Sequence, residues 1–182
     1  MYAIISKLDP ESSTIVSNLW RKLRECCGLS GIYKTPIPHF TWFAAEELEI
    51  DKISSELSQM AEDAEPFTIH TFGLGIFSGQ DPILYLPMVK SIKMINLHCQ
   101  MWHKFEHLSD EPNLYYSPKL WVPHITIAFN DLTHENLCCA IDAVAFEPIE
   151  LFITVDNLNI AKYNEERPGE ILQNFYFDAK RE

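Results

Sequence analysis

Two short stretches of the chain share one pattern. Ile37-Pro38-His39-Phe40-Thr41-Trp42 and Val122-Pro123-His124-Ile125-Thr126-Ile127 both read apolar, Pro, His, apolar, Thr, apolar. In a strand, residues i and i+2 project from the same face. Each stretch therefore predicts a histidine and a threonine side by side, with Phe40 or Ile125 turned the other way into the core. An imidazole titrates near neutral pH and serves as base or acid. A neighbouring hydroxyl can donate to a charged oxygen. Displacement at phosphorus needs these groups: a base on the entering oxygen, an acid on the leaving oxygen, and donors to the non-bridging oxygens. A lone His-x-Thr is more often structural. A matched pair, facing across a groove, makes His39, Thr41, His124 and Thr126 the candidate catalytic residues. The chemistry they suggest is phosphodiester cleavage without a metal or other cofactor.

Residues near the two motifs are candidates for substrate binding. Tyr33, Trp42, Tyr85 and Tyr115 could stack a base, and Tyr116 and Trp121 belong to the same aromatic set. Lys34 and Lys119 each precede a motif histidine by five residues and could draw a phosphate to the groove mouth. The other histidines read differently. His70 falls in a strand pattern as core or groove wall. His98, His103 and His107 read as an exposed polar helix face. His103 and His107 have i, i+4 spacing but lack the intervening glutamate of a His-Glu-x-x-His zinc motif. His134 sits at a helix start and should be solvated.

The elements that must position the motifs come in a regular order. Residues 2–7 read as a strand. Asp9 and Pro10 start a helix carrying Ile15, Leu19, Leu23 and Cys26 on one face, ended by Gly28 and Gly31. A short strand follows over 38–44. A helix begins near Asp51, with Ile50, Ile53, Leu57, Met60 and Ala64 inward. Strands over 67–77 and 83–87 are joined by a turn at 78–82. The second half repeats the plan. A helix bears Val89, Ile92, Asn96, Cys99 and Trp102 or His103. A polar loop runs over 109–119, a strand over 120–129, and Thr133 caps a helix bearing Leu137, Ala140 or Ile141, and Val144. Strands over 149–161 and 172–178 flank a hairpin loop at 163–169. The period is near 85 residues, too long for a solenoid. Two copies predict an α+β fold of two lobes about a pseudo-two-fold axis. Antiparallel-rich sheets would face a central groove, with helices outside. All 182 residues would form one domain of two interleaved lobes, roughly halves 1–88 and 89–182.

Composition bounds the partners. The formal charge of −12 opposes binding of a long nucleic acid, since phosphate contacts need Lys and Arg. A small nucleotide or an RNA end is easier to hold. No apolar run reaches the roughly 20 residues that span a bilayer, and the first residues lack the zones of a signal peptide. The expected setting is the cytoplasm, away from membranes, as a monomer. Five cysteines, odd in number and including the adjacent pairs Cys26-Cys27 and Cys138-Cys139, argue against a disulfide framework. They read as small core side chains.

The paired motifs resemble the two-histidine (2H) phosphoesterase superfamily. That group includes bacterial RNA 2′,3′-cyclic phosphodiesterases, often called 2′–5′ RNA ligases, and plant and fungal cyclic nucleotide phosphodiesterases. Its hallmark is a pair of His-x-Thr/Ser motifs, each followed by an apolar residue, as in His39-Phe40-Thr41-Trp42 and His124-Ile125-Thr126-Ile127. Tyr2-Ala3-Ile4-Ile5 with Leu8-Asp9-Pro10 looks like the family's first strand and helix, and 72–86 like its hairpin. The resemblance implies a bilobal fold, a metal-free mechanism and catalytic roles for the four motif residues. The expected activity is opening of a 2′,3′-cyclic phosphate on a nucleotide or RNA end. The alternatives are a 2′–5′ RNA ligase or 2′–5′ oligonucleotide phosphodiesterase, and a nucleotide or RNA-end binding module without turnover.

Overall fold

The computed structural model describes residues 1–164 and 168–178 of the chain. Its elements, in order, are β1 (Tyr2–Lys7), α1 (Pro10–Cys27), β2 (His39–Leu48), α2 (Ile50–Asp63), β3 (Phe67–His70), β4 (Gly75–Phe77), β5 (Ile83–Pro87), α3 (Ile92–Phe105), β6 (Ser109–Pro112), β7 (His124–Ala128), α4 (Leu137–Val144), β8 (Phe152–Val155), β9 (Asn157–Lys162) and β10 (Glu170–Tyr176). The fold is α+β, and every strand pairing is antiparallel. No helix among the described residues is long and apolar enough to cross a membrane.

A five-stranded sheet has the order β10-β9-β1-β2-β6, and a three-stranded sheet the order β4-β5-β7. β3 and β8 form a separate pair. Each sheet draws strands from both halves of the chain, so the lobes interleave. α2 packs on β9 and β10 and α3 on β2, whereas α1 packs on β7 and α4. The first helix thus covers the lobe that holds the second motif.

Local chemistry sets the boundaries of α1. The Asp9 carboxylate accepts from the Ser12 amide at 2.9 Å, and Pro10 follows at the first helical position. Gly28, at φ 73°, ends the helix in the left-handed conformation that a side chain would resist. Val16, Leu19, Trp20 and Leu23 form its buried stripe.

Two expected strands are broken. The stretch 67–77 divides at Gly73, whose φ of 72° interrupts the ladder, so β3 pairs with β8 while β4 pairs with β5. The stretch 149–161 divides at Asp156 into β8 and β9, which lie in different sheets. Alternating patterning hides such a switch, because a strand alternates in the same way whichever sheet it joins. The polar loop at 109–119 contains an edge strand, β6, and a 3₁₀ turn, Leu114–Tyr116. The strand expected over 120–129 is ordered as strand only from His124. α4 starts after Asn136, not Thr133. The inward face of α3 is Met94, His98, Met101, Trp102 and Phe105, whereas Ile92 is exposed. Residues 165–167 of the expected hairpin loop lie outside the described residues.

The cysteine reading also needs correction. Cys27 and Cys139 form a disulfide, joining the end of α1 to α4. Cys26 and Cys138 are exposed rather than core. An odd count with adjacent pairs does not reveal that α1 and α4 pack together, and that packing brings the two sulfurs within bonding range.

Candidate active site

β2 begins at His39 and β7 at His124, and the two starts are built alike. The carbonyl of Pro38 accepts from the Leu8 amide at 3.1 Å, and that of Pro123 from the Met88 amide at 3.0 Å. Each donor immediately follows the neighbouring strand, β1 or β5. Each motif strand then carries a register shift just past its threonine. Ile5 faces Thr41 while Ile4 faces Phe43, and Tyr85 faces Thr126 while Leu84 faces Ala128. The extra residues are Trp42 and Ile127, the closing apolar residues of the two motifs. Such bulges re-aim side chains beside active sites. The threonine carbonyls are held by indoles: Trp121 Nε1–H donates to Thr41 at 3.0 Å and Trp20 Nε1–H to Thr126 at 3.1 Å.

The imidazoles are oriented the same way. Nδ1 of His39 lies 2.6 Å from the Ile37 carbonyl oxygen, and Nδ1 of His124 lies 2.7 Å from that of Val122. A carbonyl only accepts, so Nδ1 carries the proton in both rings and Nε2 keeps its lone pair. Both rings and both threonines line one groove of about 170 Å³, together with Tyr116 and Tyr163. Burial lowers the pKa of His39 below 6.5. The Ile37 hydrogen bond opposes this, and the charge of nearby His124 adds to the lowering. Burial likewise lowers His124, opposed by its bond to Val122. Both rings are thus mainly neutral at pH 7, and the groove presents two free-base nitrogens.

The surroundings of the two half-sites differ. His39 meets Tyr163, whose hydroxyl lies 3.3 Å from Nε2. Burial raises the pKa of the Tyr116 phenol, and Thr41 beside it opposes the rise. His124 is instead wedged edge-on against Phe77 and Tyr85, at centroid distances of 4.9 and 5.1 Å. These rings fix its orientation by packing.

None of the six residues singled out for substrate binding is among those lining the groove. Trp42 is fully buried, with its Nε1–H on Ser6 Oγ at 2.8 Å. Strand alternation turns Trp42 inward with Phe40, on the face opposite His39 and Thr41. Tyr85 is nearly buried behind His124 and supports that ring. Tyr33 packs edge-on to Trp20 with Arg24 over its face, and Lys34 is exposed on the same 3₁₀ turn, Gly31–Lys34. Tyr115 and Lys119 are exposed to solvent. In the turn Leu114–Tyr116, Tyr115 points out and its neighbour Tyr116 lines the groove. Tyr163, read only as part of a hairpin loop, is a groove residue that sequence reasoning missed. Nothing in its local sequence marks it, since its position depends on β9 running antiparallel to β1.

His98 is a second correction. It is buried rather than on a polar face, stacked on Trp121 at 3.7 Å, with Nε2–H donating to the Tyr116 carbonyl at 2.9 Å. Burial pulls its pKa down to about 4. It stands behind the groove wall.

An interleaved α+β fold with two matched His-x-Thr strands opening on one groove defines the two-histidine class anticipated from the motifs. The model of the 2′–5′ RNA ligase superfamily matches residues 10–167, and the chain belongs to that superfamily. A Bacillus cytotoxicus protein, provisionally named a phosphoesterase, is 30% identical over 105 residues, covering 55% of this chain and 57% of that protein. A similarly named Bacillus mycoides protein is 29% identical over the same shares. The match thus spans little more than half the length of these relatives. Among solved structures, TT0787 of Thermus thermophilus superposes with a TM-score of 0.69 at 17% identity, covering 99% of both chains. Escherichia coli LigT, solved as a complex with 3′-AMP, superposes with a TM-score of 0.61 at 16% identity, covering 97% of both. At these identities the likeness establishes the fold.

Proposed function

We propose that this protein is a phosphodiesterase that opens 2′,3′-cyclic phosphates of nucleotides or RNA ends, with His39 and His124 as the general acid–base pair. The observation that carries this reading is the matched orientation of two imidazoles in one groove, each with Nδ1 held by the backbone and a threonine beside it. In the reaction, Nε2 of one ring takes a proton from water as its oxygen bonds to phosphorus. The other ring, protonated, delivers its proton to the ribose oxygen as that P–O bond breaks. Thr41 and Thr126 donate to the non-bridging oxygens. Every proton is accounted for by the two rings, so the step needs no metal.

Groove size supports a small substrate. A volume of about 170 Å³ falls below the usual range of ligand pockets, roughly 300–1,000 Å³. It suits a phosphate and a ribose, with the base at the rim. Both half-sites come from one chain, so a monomer suffices.

The test is a panel of 2′,3′-cyclic nucleotides, cyclic-phosphate RNA ends and 2′–5′ oligonucleotides, assayed in EDTA with products identified by phosphorus NMR. The expected result is ring opening by the wild type, with a loss of about a hundredfold or more in His39→Ala and in His124→Ala. Turnover of 2′–5′ linkages alone would shift the reading to the second activity. Binding without turnover would make the protein a binding module.

A further inference from the structure

The environment of Tyr163 is specific to one half-site. Its hydroxyl lies 3.3 Å from Nε2 of His39, the nitrogen that must exchange a proton in the reaction proposed above. The rings are nearly parallel, at 27°. Nδ1 of His39 already donates to Ile37, so Nε2 accepts and the phenol donates. Tyr163 also lines the groove that holds both motif threonines.

The backbone and packing hold the ring there. The Tyr163 amide donates to the Met1 carbonyl at 3.0 Å, extending the β9–β1 pairing past Lys162. Gly169 leaves room for the ring, since a Cβ there would fall 2.5 Å from ring carbons. Burial raises the phenol's pKa, with Tyr116 close by adding to the effect. The group therefore stays protonated at any working pH, and remains a donor that does not repel a phosphate.

We propose that Tyr163 is a fifth functional residue of the site: its hydroxyl caps Nε2 of His39 in the free protein and, when a cyclic phosphate enters, turns its hydrogen bond to a non-bridging phosphoryl oxygen. The incoming water needs the same Nε2 lone pair, so the phenol must yield it. The phosphoryl group arriving beside His39 supplies the nearest new acceptor. No covalent bond to Tyr163 forms, and its proton stays on oxygen throughout. This rests on the cyclic-phosphate reading for its second half only. The cap on His39 stands independently.

Tyr163→Phe removes the hydroxyl and keeps the ring. With 2′,3′-cyclic nucleotide as substrate, kcat should fall about a hundredfold to a thousandfold, the range for loss of one transition-state donor, with KM changed much less. Replacing the non-bridging oxygen that Tyr163 contacts by sulfur should slow the wild type and leave Tyr163→Phe comparatively unaffected. A kcat equal to wild type, or the same sulfur effect for both diastereomers in both proteins, would overturn the proposal. A second arm needs no substrate. The titratable groups around His39 are His124, Tyr163 and Tyr116 in the groove, and Glu170 in the adjoining cavity that His39 and Tyr163 also line. Histidine titration by NMR should show the His39 pKa rising in Tyr163→Phe while that of His124 holds. A fall, or no change, would overturn the cap. If the wild type opens no cyclic phosphate yet the His39 shift appears, the functional reading fails and the cap survives.

Discussion

The indole of Trp121 donates to the backbone carbonyl of Thr41 at 3.0 Å, so a residue leading into the second motif holds the strand of the first. Trp20 does the same for Thr126 from α1. The two half-sites are therefore cross-braced through their threonine carbonyls. Trp121 is itself sandwiched, stacked on Trp42 at 5.5 Å and under His98 at 3.7 Å.

Trp121→Phe keeps an aromatic ring and removes the N–H. It leaves the Thr41 carbonyl short of a donor in a buried setting, for a loss of about 1–3 kcal/mol. Urea denaturation should show a lowered midpoint with an unchanged slope, and the hydrolysis assay should show kcat falling more than KM. An unaltered midpoint would mean that the brace carries no stability.

The pH dependence of activity follows from two lowered histidine pKa values. The base must be neutral, so activity falls as pH drops through its pKa. The acid must be charged, so activity falls as pH rises through its own. Both pKa values in the free protein lie below 6.5. The bell of kcat/KM should therefore peak on the acid side of 6.5. A profile centred well above neutrality would contradict the assignment of both limbs to His39 and His124.

His98 predicts a stability effect of definite sign. Its folded pKa of about 4 lies below the ordinary 6.5, so the folded state is favoured by a neutral ring. That contribution is complete above about pH 6.5 and is lost as pH falls through about 4, for a total near ~3 kcal/mol. His98→Gln, which keeps a donor toward Tyr116, should be less stable at neutral pH. Its stability should also decline less between those two pH values. Parallel denaturation curves for the two proteins across this window would argue against a buried neutral His98.

The Cys27–Cys139 disulfide closes a loop with a sequence separation of 112 residues. Loops of that size imply a loss of about 3–5 kcal/mol when the link is absent. Thermal unfolding of Cys27→Ser/Cys139→Ser should show a clearly lower midpoint, insensitive to added dithiothreitol, whereas the wild-type midpoint should fall when reductant is added. Turnover by the folded variant should be near normal, because neither cysteine lines the groove. Equal midpoints with and without reductant would show that the link adds no stability.

The chemistry of the two motifs was legible in the chain, because strand alternation and side-chain type are local properties. Pro-His-x-Thr needs only a strand to put its imidazole and hydroxyl on one face, and a repeat of it suffices to imply a second half-site. The cap of α1, written in Asp9, Pro10 and Gly28, is equally local. The breaks at Gly73 and Asp156 are not, since strand alternation looks the same whether the chain stays in one sheet or changes to another. The inward turn of His98, the sulfur bond between α1 and α4, and the phenol set against His39 are meetings of residues remote in sequence. They depend on which strands pair and which helices touch. Only long-range packing decides those contacts, through the summed burial of a whole core that no single segment encodes.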